Sequence, residues 1–106
     1  MKASDILGLD DLLTKVITVE RWGKDVTIRE LSLDEGMKVL GMADGDALTI
    51  TGEDVAQIVA WGVIDDDGNR LFTDEQVPEL AKKNRDALLF IYQEIMSISG
   101  DDAGKN

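Results

Sequence analysis

Trp61-Gly-Val-Ile-Asp-Asp-Asp-Gly-Asn-Arg-Leu-Phe-Thr-Asp-Glu-Gln-Val-Pro78 decides how the rest of this chain is read. The segments Val63-Ile-Asp65 and Arg70-Leu-Phe72 flank Asp66-Asp67-Gly68-Asn69, which predicts a small hairpin or tight turn. Thr73-x-x-Gln76 is a capping box that starts a short helix, and Pro78 limits or restarts it. Asn84 then caps a long helix to about residue 98. Leu88, Ile91, Tyr92 and Ile95 form its apolar stripe, and Gly100 is its left-handed end. The acidic run has the outline of a metal loop, because Asp65, Asp67 and Asn69 stand at the first, third and fifth places of a calcium loop. That loop requires glycine at the sixth place and a bidentate glutamate at the twelfth. Arg70 and Gln76 stand there instead, so a turn is expected and no metal.

Upstream, Ser4-Asp5 predicts a short helix to about residue 13 with Ile6, Leu9, Leu12 and Leu13 as its stripe. Residues 16–21 and 26–31 alternate and are rich in β-branched side chains, as half-buried strands are. Gly23-Lys24 fits a two-residue hairpin turn, placing Val19 opposite Ile28 and leaving Trp22 on the polar face. Ser32-x-x-Glu35 caps a helix to about residue 43, with Leu33, Met37 and Leu40 expected inward and Gly41 beside them. Residues 44–50 read as a loop with a short extended piece at 48–50. Thr51-x-x-Asp54 opens another helix, with Val55, Ile58 and Val59 inward and Trp61 at the stripe edge. The expected fold is α+β: a mostly helical single domain over residues 1–100 with an N-terminal β-hairpin, then a disordered polar tail at 101–106.

Composition removes whole function classes. The 106 residues include no cysteine and no histidine, which takes away thiolate metal sites, disulfides, the commonest general base and the commonest zinc ligand. The serines fall at caps and helix ends with no base to activate them, and no glycine run forms a phosphate cradle. An enzyme is not expected, nor a cofactor. The net charge of -11 repels phosphate backbones and anionic lipid, so neither nucleic acid nor membrane is an expected partner. No stretch approaches the roughly 20 apolar residues of a membrane span, and the N-terminus lacks an apolar signal core, so an intracellular location is expected.

Three aromatics stand apart from the core pattern and are the candidate partner-binding residues. Phe90 lies on the polar side of the last helix, Trp22 on the polar face of the hairpin, and Trp61 at a stripe edge, where aromatics anchor interfaces. Core coverage by another element is the alternative for each. Met37, Met42 and Met96 offer an adaptable surface, with core packing as the alternative.

The order of these signals resembles the tail assembly chaperones of long-tailed bacteriophages. It is carried by the acidic Asp10-Asp11-Leu12 segment, by Val19-Glu-Arg-Trp22-Gly23, and by Val26-Thr-Ile-Arg29-Glu-Leu31-Ser. Further on it rests on Ala60-Trp61-Gly-Val-Ile, on Asp67-Gly-Asn-Arg-Leu-Phe72-Thr-Asp-Glu-Gln-Val77, and on a last helix ending Ile98-Ser-Gly100. The resemblance implies a non-enzymatic protein of the host-cell cytoplasm, absent from the mature virion. It would coat the tape measure protein and recruit the major tail tube protein, with self-association as a further possibility. It also implies a longer form made by ribosomal frameshifting, for which Lys105-Asn106 is a suitable join if its codons form a run of A. The rival from another class is a small acidic inhibitor that imitates nucleic acid.

Overall fold

Thr14–Val19 (β1) and Lys24–Arg29 (β2) pair antiparallel, joined by Glu20-Arg21-Trp22-Gly23. The N–H of Trp22 donates to Val19 C=O and that of Gly23 to Glu20 C=O (both 3.1 Å), and Gly23 takes a φ of 63°. The connection is therefore a four-residue loop, the sequence expectation of a two-residue Gly23-Lys24 turn being wrong. In the observed register Ile17 faces Val26 and Val19 faces Lys24, a slip of four positions from the expected pairing of Val19 with Ile28. An even slip preserves which residues share a face. Ile17, Val19 and Ile28 accordingly all point into the core. Val63–Ile64 (β3) adds to β2, giving the sheet order β1-β2-β3.

In this computed structural model residues 1–43 and 50–98 are described. All of the predicted loop at 44–50 but Ile50, the Gly100 helix end and the 101–106 tail lie outside them. Ala3–Leu7 (α1) is shorter than expected: it stops before Gly8, and Ile6 and Leu9 of the predicted stripe are exposed. A helix of this length without a packed face is marginal by itself.

Three helices follow their local caps closely. Leu33–Ala43 (α2) begins at the Ser32/Glu35 box, where Glu35 Oε1 accepts the Ser32 N–H at 2.9 Å. Gly52–Gly62 (α3) begins at Thr51/Asp54, whose two reciprocal bonds are 3.0 and 3.1 Å. Arg85–Ser97 (α5) begins where Asn84 Oδ1 accepts the Ala87 N–H at 2.9 Å. Between α3 and α5, a 3-10 turn at Asp74–Gln76 leads into Val77–Leu80 (α4), with Pro78 in the first turn. Proline thus restarts the helix, since its missing N–H falls where no intrahelical partner is needed.

The core forms where α3 and α5 pack together against the inner face of the sheet. Ile58 and Val59 of α3, Ile91 and Ile95 of α5 and Ile28 of β2 are at most 1% exposed. Each such side chain contributes about 1.5–3 kcal/mol by leaving water. Gly62 permits this approach: a Cβ there would stand 2.5 Å from Ile95 Cδ1 and 2.9 Å from Ile95 Cγ1. The mostly helical α+β fold expected from the sequence is the fold observed.

Candidate partner-binding surface

The helix α2 turns the opposite way from its expected orientation. Val39 is buried and Met42 packs on the core, while Leu33, Met37 and Leu40 are 83%, 58% and 63% exposed. A set of polar contacts matches this rotation of the helix. Arg29 of β2 grips Glu35 with two parallel bonds, Nη1 to Oε1 at 2.8 Å and Nη2 to Oε2 at 2.7 Å, and Nη1 also donates to the Glu30 carbonyl. Both side chains are largely buried, so this pair is a geometric clamp rather than a loose surface contact. Burial raises the Glu35 carboxyl pKa, but the Arg29 bonds, the Ser32 N–H and the Arg29 charge outweigh it and hold it below its ordinary value. On the next turn, Lys38 pairs with Asp34 at 3.1 Å and sits 5.9 Å from the centre of the Trp61 ring.

Leu33, Met37 and Leu40 occur at i, i+4 and i+7, the spacing with which one helix presents an apolar seam to another. Gly36 lies on the same side, with open space where its Cβ would be, so a partner backbone can approach closely there. Sequence reasoning missed this surface although its residues were identified. The signal was a second apolar stripe, Val39 and Met42, which leaves α2 with more apolar faces than the core can cover.

The three aromatics are not brought together. Trp61 is only 9% exposed and packs with the core beneath Lys38. Trp22 is half-buried instead of exposed: the four-residue loop tucks it against the core, where it lines an apolar recess of about 330 Å³ with Phe72, Leu80 and Lys83. Phe90 is 38% exposed, as expected, and lines a separate groove of about 280 Å³ with Thr18, Val19, Glu20, Arg21, Asp86 and Ala87. Among the methionines, Met37 and Met96 are exposed and Met42 is not.

The acidic turn is organised from within. Asp65 Oδ1 accepts the N–H groups of Asp67 and Asn69 at 2.9 and 3.0 Å, and Gly68 takes a φ of 84°. Arg70 has a constructive role that the sequence reading did not assign. Its Nε donates to the Ala60 carbonyl in the last turn of α3 at 3.1 Å, and its Nη2 donates to Asp74 Oδ1 at 2.7 Å. These bonds staple the turn to the C-terminal end of α3. Hydrogen bonds from Arg70 and then Gln57 hold the Asp74 carboxyl below its usual pKa. Part of the negative charge is engaged in this way: Asp5, Asp25, Glu30, Glu35, Asp54, Asp65 and Asp74 accept hydrogen bonds within the chain. Among the described residues, no group of three acidic side chains is placed to hold a metal ion, and no helix is long and apolar enough to cross a membrane.

No protein-family model matches this chain, and no curated protein matches it. Among solved structures, the fold is similar to the tail assembly chaperone of bacteriophage HK97. The TM-score is 0.60 at 15% identity, and the match covers 91% of this chain and 98% of that one.

Proposed function

We propose that this chain is a non-enzymatic phage tail assembly chaperone. In this reading it binds the tape measure protein in the host cytoplasm and recruits tail tube subunits while the tail is built. The observation that carries the reading is a fold shared with such a chaperone along nearly the whole chain. The Leu33–Met37–Leu40 seam of α2 supplies a means, because a long helical partner presents apolar stripes of the same spacing. Each of these side chains contributes on the order of 1.5–3 kcal/mol if fully covered, before the cost of association. The net charge of -11 favours a partner with basic residues beside its stripe.

Co-expression with the tape measure protein of the same phage tests this. A soluble complex that co-purifies is expected, and Leu40→Lys should abolish it without unfolding the chain. Absence of a complex would refute the reading, while a complex indifferent to the lysine would move the interface off α2. The rival, imitation of nucleic acid, predicts instead that the chain competes with DNA for a DNA-binding protein. The engagement of its carboxylates in caps and turns speaks against that.

A further inference from the structure

Among the described residues, the outer edge of the sheet is open along β1. The Glu30 N–H donates to the Leu13 carbonyl at 2.9 Å, which sets the phase of the ladder. Hydrogen-bonded pairs alternate along antiparallel strands, so Lys15, Ile17 and Val19 turn their backbone groups toward β2. Thr14, Val16 and Thr18 therefore direct their N–H and C=O groups away from the sheet, and among the described residues none accepts or donates there. Natural edges of this kind are usually blunted or covered.

Two further features make this edge a shaped site. The Phe90 groove runs directly beside it, lined by Thr18, Val19 and Ala87, and continues past Glu20 and Asp86 to Asn84. Lys15 Nζ pairs with Glu94 Oε1 of α5 at 2.9 Å, an exposed contact that spans from β1 to the helix beside the groove. Phe90 supplies the exposed apolar surface of the groove, with Val19 and Ala87 buried at its base, and Glu20 and Asp86 supply acidic groups. Arg21 and the long Arg85–Asp86 contact of 3.7 Å are the opposing charges nearby.

We propose that this edge is a strand-addition site, whose occupant is an extended segment of a partner protein with an apolar residue flanked by lysine or arginine. The incoming backbone bonds to Val16 and Thr18, its apolar side chain sits against Phe90, and its cations meet Glu20 and Asp86. The site is separate from α2 and does not depend on what α2 binds.

Titration of the full-length, nitrogen-15-labelled chain with an end-capped Lys-Val-Lys-Leu-Lys-Val peptide provides the test. Saturable amide shifts are expected at 14–21 and 86–90, with strand-type contacts between the two backbones. Val16→Pro should weaken binding by about tenfold or more, since that N–H serves no bond within the sheet and proline is tolerated on edge strands. Phe90→Ser should do the same. A peptide N-methylated on alternate residues keeps the test decisive should Val16→Pro misfold: it should not bind. Equal binding by the methylated peptide, no saturable shift, or shifts centred on Leu33, Met37 and Leu40 would each overturn the proposal.

Discussion

Replacing Gly62 with alanine tests the packing on which the fold depends. A Cβ there would lie 2.5, 2.9 and 3.0 Å from Ile95 Cδ1, Cγ1 and Cγ2, and Ile95 is 1% exposed, so it has nowhere to retreat. Overpacking of this kind costs about 1–3 kcal/mol. The gain in helix propensity from glycine to alanine is at most about 1 kcal/mol and shrinks at the last residue of α3. The net loss is then about 1–2 kcal/mol, which lowers Tm by roughly 5–15 °C in a domain of this size. Gly36 supplies the contrast: nothing lies within 4 Å of its added Cβ, so Gly36→Ala should raise stability by about 0.5–1 kcal/mol. Circular-dichroism melts and urea midpoints at constant m measure both. Ile95→Val removes the closest atom, so the double variant with Gly62→Ala should recover about 1 kcal/mol relative to additivity. A Gly62→Ala protein that melts at or above the parent would refute the α3–α5 contact described above.

Glu35→Gln should lower stability near pH 7 by about 1–2 kcal/mol through loss of the charged clamp on Arg29. The folded carboxyl titrates below its usual 4.5, so the unfolded chain takes up protons first on acidification. The clamp's contribution is thus complete above that value and is lost as pH falls through the folded pKa. The two proteins should converge in acid, and a constant gap down to low pH would contradict the assignment. Trp22→Ser should melt several degrees lower because Trp22 packs on the core, whereas Phe90→Ser should stay within about 0.5 kcal/mol of the parent; equal melts would place Trp22 back on the surface. Calorimetric titration with calcium should give no heat above dilution, since Asp65 Oδ1 already holds two N–H groups of the turn. A stoichiometric site would contradict this.

The parts of the fold legible in the sequence are those encoded within a few residues. Ser32 with Glu35, Thr51 with Asp54, and Asn84 with the Ala87 N–H act at i to i+3, and each marked a helix start correctly. The turn around Gly68 was legible for the same reason. What escaped depends on contacts distant in sequence. Alternation assigns the hairpin's faces, but the register goes with a four-residue loop that places Trp22 against the core beside Phe72 and Leu80. Periodicity found the larger stripe of α2, yet the side turned inward is set by Arg29 on a neighbouring strand and by Trp61 on a neighbouring helix. The same reversal exposes Leu33, Met37 and Leu40, which the sequence reading had placed inward.

Hydrogen exchange of the complex with the tape measure protein tests the central claim most directly. The α2 helix packs on the rest of the chain mainly through Val39 and Met42, so its amides should exchange readily in the free protein. On binding, slowing should centre on α2, Leu33–Ala43, and leave α5 nearly unchanged. Exchange across α2 that is the same with and without the partner, in a sample shown to be complexed, would contradict the account.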